Sequence, residues 1–126
     1  MAERMLTNSE WYVLDCLWER APQTVTQLVP ILKEKVGWAK STTITTLRRM
    51  EDKGLIRAEQ EGRAKVFYPA IAREEAAAAE TESLLSRVYH GSVGLMVSTL
   101  LQNRRISREE LKELQMLLEQ GEEEQT

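Results

Sequence analysis

Apolar residues recur at helical spacing in six stretches of this chain, and a short segment of β-prone residues separates the third stretch from the fourth. The first stretch opens on Thr7-Asn8-Ser9-Glu10, a capping box in which Thr7 covers the Glu10 amide and Glu10 reaches back to Thr7. It is expected to run to about Glu19 with Trp11, Leu14, Leu17 and Trp18 on its apolar stripe and Val13 at the edge, the two tryptophans being core anchors. Ala21-Pro22 ends this helix, and Gln23-Thr24-Val25 leaves room for no more than a token strand. Thr26 is the expected cap of a second helix reaching about Lys35, with Leu28, Ile31 and Leu32 inward, Pro30 distorting its start and Gly37 at its end.

The third helix, about Lys40 to Lys53 and closed by Gly54, has an unusual pattern. Thr43, Leu47 and Met50 share one stripe, while Ser41, Thr42, Thr45, Arg48, Arg49 and Asp52 spread over the opposite face. A merely solvated face carries Glu, Lys and Gln, which are good helix formers; β-branched hydroxyl residues and arginines are placed here at some cost in propensity. Short hydroxyls and guanidinium forks suit phosphates and base edges. After it, Leu55–Gln60 and Lys65–Pro69 flank the polar turn Glu61-Gly62-Arg63-Ala64 and read as a hairpin. Two helices joined by a short turn, the second polar on its outer face and followed by a hairpin, predict a winged helix-turn-helix with the third helix in the major groove of double-stranded DNA. The candidate contacts are Thr42, Thr45, Arg48 and Arg49 toward bases and Lys40 and Ser41 toward phosphates at the helix N-terminus, with Arg63 and Lys65 from the wing.

From Arg73 the pattern is purely helical. A fourth helix carries Leu84, Leu85 and Val88 and ends at Gly91, a fifth from about Ser92 carries Val93, Met96, Val97, Leu100 and Leu101, and a sixth opens on the capping box Ser107-Arg108-Glu109-Glu110 with Leu111, Leu114, Leu117 and Leu118 inward. A segment this short with such apolar faces rarely stands alone. The expectation is a homodimer through Leu84, Leu85, Val88, Met96, Val97, Leu100, Leu111, Leu114 and Leu118, which also sets two reading helices about one DNA turn, roughly 34 Å, or a multiple of it apart on a palindromic operator. The alternative is that these helices fold back on the N-terminal part as one monomeric core. The fold class is therefore mainly α, a winged helix-turn-helix of three helices and a β-hairpin wing at 1–70 and a three-helix dimerisation domain at 71–121, with a disordered acidic tail at 122–126.

Charge sharpens this division. The net charge of −3 conceals a balance of +2 over residues 1–70 and −5 over 71–126, so the acidic half is separate from the candidate reading half. Cys16 is the only cysteine, which excludes an internal disulfide and a thiolate metal cluster, and it reads as core packing. His90, beside Gly91, reads as a residue at a helix end and not as a catalyst or metal ligand. No nucleophile with a base and no glycine-rich phosphate loop is visible, so no enzyme activity, cofactor or metal is expected. No apolar run approaches the roughly 18 residues of a membrane span, and the first ten residues do not resemble a signal peptide, so a cytoplasmic protein without membrane insertion is expected.

The order and spacing of several groups resemble the bacterial penicillinase-repressor family, which includes methicillin-resistance and copper-responsive repressors. They are Glu10-Trp11, Val13-Leu14 and Leu17-Trp18; Trp38, Thr42, Thr45, Leu47, Arg49 and Lys53-Gly54; Glu61-Gly62-Arg63 and Val66-Phe67-Tyr68; and Tyr89–Gly91, Ile106-Ser107 and Glu110-Leu111. The likeness extends from about Leu6 to Gln120. It implies a homodimeric winged-helix repressor of a palindromic operator near genes for β-lactamase, a resistant cell-wall transpeptidase or copper export. The copper branch carries a cysteine-rich tail where this chain has GEEEQT. The antibiotic branch is released by proteolysis at an Asn-Phe pair in the middle helix of the dimerisation domain, a membrane sensor protease being the implied partner; the corresponding place here is Thr99-Leu100. The competing function is a winged helix used as a protein-interaction module, which would expose aromatic or aliphatic anchors where this helix exposes Thr and Arg.

Overall fold

The computed structural model describes residues 5–125. In chain order the elements are α1 (Asn8–Glu19), β1 (Gln23–Thr24), α2 (Val25–Val36), α3 (Lys40–Lys53), β2 (Ile56–Glu61), β3 (Ala64–Pro69), α4 (Arg73–Tyr89), α5 (Val93–Gln102) and α6 (Arg108–Gln125). The three strands form an antiparallel sheet in the order β1-β3-β2, with Gln23 opposite Phe67 and Ala58 opposite Phe67 on its other edge. This is the winged helix expected from the sequence, with helices added after the wing.

The capping box of α1 forms as expected: the Glu10 amide donates to the Thr7 hydroxyl at 3.2 Å and the Thr7 amide donates to Glu10 Oε1 at 2.9 Å. The buried face of α1 is rotated from the expected stripe. Val13 is fully buried rather than at the edge, with Leu14, Cys16 and Leu17, while Trp11 and Trp18 pack half-buried against the core edge-to-face, 5.6 Å apart. The bulky indoles fit the rim better because Trp18 needs a partner for its N–H, which it finds in the Ile71 carbonyl at 2.9 Å. Cys16 is buried, and that burial pushes its thiol above the ordinary value, in keeping with a packing role.

The cap of α2 is Thr24 and not Thr26. Thr24 and Gln27 form their own capping box, with the Gln27 amide on the Thr24 hydroxyl at 3.2 Å and the Thr24 amide on Gln27 Oε1 at 2.8 Å. The sequence holds two threonines two apart, and the one with a Gln three residues on prevails. Pro30 consequently lies inside α2 and not at its start; it and Thr26, whose carbonyl it leaves without the usual amide donor, are both exposed, so water can take the place of that bond. Gln23, buried at the start of this turn, donates through its side-chain amide to the Cys16 and Arg20 carbonyls at 3.0 and 2.8 Å, closing the C-terminal end of α1. Gly37 and Gly54 end α2 and α3 at φ of 73° and 79°, a left-handed conformation that favours glycine.

The core gathers Leu14 and Leu17 of α1, Leu28 and Leu32 of α2, Leu47 and Met50 of α3, Leu55, Ile56 and Phe67. Ile71 and Ala76 join it, the latter from the first turn of α4. By its internal contacts the chain forms two compact units that meet at Glu82/Ser83, within α4. The first unit is the winged helix plus the start of α4, and the second holds the end of α4, α5 and α6. In the second unit α5 is capped by Ser92, and Ser107 with Glu110 forms the expected box before α6. His90 and Gly91 follow α4 in left-handed conformations, φ 51° and 84°. Of the expected disordered tail at 122–126, residues 122–125 are helical and Thr126 lies outside the described residues: Glu122, Glu123 and Glu124 are good helix formers and no proline intervenes, so α6 runs through Gly121. No helix among the described residues is long and apolar enough to cross a membrane.

Two predictions follow from polar groups in the core. Thr43 is fully buried and its hydroxyl has no hydrogen-bond partner, so Thr43→Val, of similar shape, should raise stability by about 1 kcal/mol in urea titration; a comparable loss would mean the hydroxyl is satisfied. Glu10 is buried and joins the start of α1 to the end of α3 through a 2.6 Å ion pair with Lys53. Burial pushes its carboxyl up, but the Lys53 ammonium and the Thr7 amide and hydroxyl outweigh that and hold it below its usual 4.5. A lowered folded value gives stability that is present above the ordinary carboxylate range and lost as pH falls through the folded value. Glu10→Gln should therefore be less stable than the native chain at pH 7, the gap closing as the pH is taken toward 3; a gap independent of pH would contradict the ion pair's role.

Candidate nucleic-acid interface

The polar face of α3 is built by what its other face must bury. Thr43, Thr46, Leu47 and Met50 are buried against α1, α2 and β2, which turns Ser41, Thr42, Thr45, Arg48 and Arg49 outward, all of them exposed. Lys40, the first helical residue, is exposed too, and the N-cap, Ala39, supplies no side-chain hydrogen bond. The positive end of the helix dipole is thereby left open beside a lysine and a serine, an arrangement suited to an anion.

Four of these residues come together in one shallow cleft of about 300 Å³, lined by Ser41, Thr42, Thr45, Thr46 and Arg49 of α3 and by Ser9 of α1. Arg48 and Lys40 do not line it. Thr46 is 8% exposed and donates its hydroxyl to the Thr42 carbonyl at 2.8 Å, which fixes its rotamer, while the hydroxyls of Ser41, Thr42 and Thr45 make no hydrogen bond among the described residues. Ser9 was missed in the sequence. It stands in the first turn of α1, more than thirty residues from α3, and only the packing of α1 on α3 brings it there. Its sequence signal was its place directly inside a capping box, where an additional exposed hydroxyl sits at a helix N-terminus.

The wing presents less free charge than its composition suggests. Arg57 pairs with Glu59 and lies over the Tyr68 ring at 4.3 Å, and the Tyr68 hydroxyl donates to Glu61 at 3.1 Å, a bond that raises the phenol above its ordinary value. Lys65 is drawn back to α3, its ammonium 3.2 Å from Glu51 Oε1 and 5.4 Å from the Phe67 ring centre. Arg63, in the turn with Gly62 at the tip, is exposed. Among the described residues Lys40, Arg48, Arg49 and Arg63 have no ion-pair partner.

In the second unit the expected dimerisation residues lie on unfilled apolar faces. Leu84, Val88, Leu100, Leu111 and Leu118 are exposed, Leu118 at 69%, and Leu85, Met96, Val97 and Leu114 are half-buried. Among the described residues of α5 and α6 none is buried. Thr99 and Leu100, the candidate release site, lie inside α5, where the Thr99 hydroxyl donates to the Leu95 carbonyl at 3.0 Å.

Comparison with known proteins bears on this arrangement. The sequence profile of the penicillinase repressor family matches residues 6–120. The penicillinase repressor of Bacillus licheniformis is 29% identical over 115 residues, spanning 91% of this chain and 90% of that protein. Two solution structures resemble the winged helix, each 24% identical and covering 56% of this chain: the DNA-binding domain of the repressor BlaI, with a TM-score of 0.51 over 85% of that chain, and the Bacillus licheniformis BlaI monomeric form in complex with the blaP half-operator, with 0.52 over 87%. At that identity the likeness establishes the fold. The chain belongs to the penicillinase repressor family, a family of repressors and not of enzymes.

Proposed function

We propose that this chain is a cytoplasmic DNA-binding transcriptional repressor that occupies a palindromic operator as a homodimer and acts by blocking a promoter. The observation that carries the reading is the hydroxyl and guanidinium cleft on α3, with Arg49 inside it and Lys40, Arg48 and Arg63 nearby in sequence or on the wing, none of them ion-paired among the described residues. Thr42, Thr45, Arg48 and Arg49 are the candidate base readers; Lys40 and Ser41 hold a phosphate at the N-terminus of α3, and Arg63 and Lys65 belong to the wing's approach. The resemblance of the winged helix to BlaI in complex with a half-operator supports DNA binding. The exposed leucines and valines of α4, α5 and α6 support the homodimer, since such faces are stable only when covered. A palindrome then doubles the contacts of a reader whose residues 1–70 carry a balance of only +2.

The family supports a regulon of the β-lactam resistance type. Release by cleavage at Thr99-Leu100, signalled by a membrane sensor protease, is the corresponding induction route. Because that bond lies within α5, local unwinding must precede cleavage.

Selection from random duplexes at physiological salt should enrich a sequence with two-fold symmetry. On that duplex Arg49→Ala should cost about 1–3 kcal/mol and relax preference at one position per half-site, whereas Arg63→Ala should weaken all duplexes alike and flatten the salt slope by about one unit per protomer. Unchanged binding in both variants would overturn the assignment. A docking module would enrich no sequence.

A further inference from the structure

Of the wing's cations, Arg57 and Lys65 are held in ion pairs and only Arg63 is unpaired among the described residues. The Lys65 pair differs from the Arg57 pair because it leaves the hairpin: its carboxylate, Glu51, is on α3, in the turn that follows the reading residues Arg48 and Arg49. Glu51 is half-buried, its side chain 38% exposed, and Lys65 is held additionally over Phe67, a core residue of β3. An acidic side chain next to a DNA-reading face is costly for affinity, since it repels the phosphate backbone that supplies sequence-independent binding. Its position on the ammonium of a wing lysine gives it a role that affinity alone would not favour.

We propose that Glu51 is a specificity-determining residue, which withholds Lys65 from the phosphates of non-operator DNA. This rests on the DNA-binding reading above. Non-specific binding draws almost wholly on counterion release, one ion for each phosphate met by a free cation. A lysine already neutralised by Glu51 gains little by changing partner, because the carboxylate left behind takes up a cation as the phosphate loses one. Lys65 then adds nothing to the grip on arbitrary sequence, while the same ion pair keeps the wing seated against α3 when bases are read. Selectivity rises through suppression of the wrong complexes, not through a new contact in the right one.

The experiment compares Glu51→Gln, Lys65→Ala and the double variant with the native chain, titrating an arbitrary duplex and the selected operator across a salt series by fluorescence anisotropy. Thermal unfolding of each variant checks that the fold is retained, and an exposed ion pair of this kind contributes little to it. Glu51→Gln should bind the arbitrary duplex several-fold more tightly with a slope steeper by about one unit per protomer, and the ratio of operator to arbitrary binding should narrow. Lys65→Ala should leave the slope unchanged when Glu51 is present and restore the native slope in the Glu51→Gln background. If Glu51→Gln matches the native chain on the arbitrary duplex, or if Lys65→Ala alone flattens the slope by one unit, Glu51 does not withhold the lysine. Failure of the native chain to bind any duplex would instead overturn the DNA-binding reading.

Discussion

The burial of one side of α3 is the constraint on which the rest depends. A helix of fourteen residues that seats Thr43, Thr46, Leu47 and Met50 in the core has no freedom to rotate about its axis, because a turn of even one position would move Leu47 or Met50 into water at about 1.5–3 kcal/mol each. The direction of Ser41, Thr42, Thr45 and Arg49 is thus fixed by the burial of Thr43, Leu47 and Met50 on the opposite side. The Glu10–Lys53 ion pair holds the far end of the same helix to the start of α1, so that α1 and α3 are joined at one end by charge and along their length by packing. From that junction comes the cleft in which Ser9 meets Arg49.

The charges around this helix are sorted by function. Among the described residues the cations that face the cleft or stand at the tip have no ion pair, whereas those that could loosen the frame are tied down: Lys53 to Glu10, Arg57 to Glu59 and Lys65 to Glu51. A net charge of −3 is compatible with DNA binding under such an arrangement, because the acidic excess is concentrated in the C-terminal half of the sequence. The C-terminal unit follows a different rule. Its helices are capped by Ser92 and Ser107 and carry sound apolar stripes, yet among the described residues they bury none fully.

Most of the winged helix was legible in the sequence because its signals are local. The capping box at Thr7, the glycine ends at Gly37 and Gly54 and the β-prone runs around Gly62 each act within a few residues. The misplaced features need longer reach. Gln23 reads only as part of a token strand, though its side chain also closes α1, since nothing in its neighbours announces a buried amide. The cap of α2 falls at Thr24 and not at Thr26 because only Thr24 has a Gln three residues on to complete the box. Ile71 and Ala76 read as linker and helix start, yet both belong to the core, and Trp18 holds that segment through the Ile71 carbonyl. In the interface, the hydroxyl and guanidinium face was visible from periodicity alone. The addition of Ser9 and the capture of Lys65 by Glu51 depend on how elements pack, which periodicity does not encode.

The central claim is that the outer face of α3, and not the wing or the C-terminal helices, meets the bases. Amide and side-chain chemical-shift mapping of the labelled protein against its selected duplex tests this most directly. The account predicts the largest changes at Ser9 and from Lys40 through Arg49, with Arg63 and Lys65 following more weakly, and little change at Leu14, Leu28 or Leu32 in the core. Changes concentrated in α5 and α6, with those of α3 left in place, would contradict it.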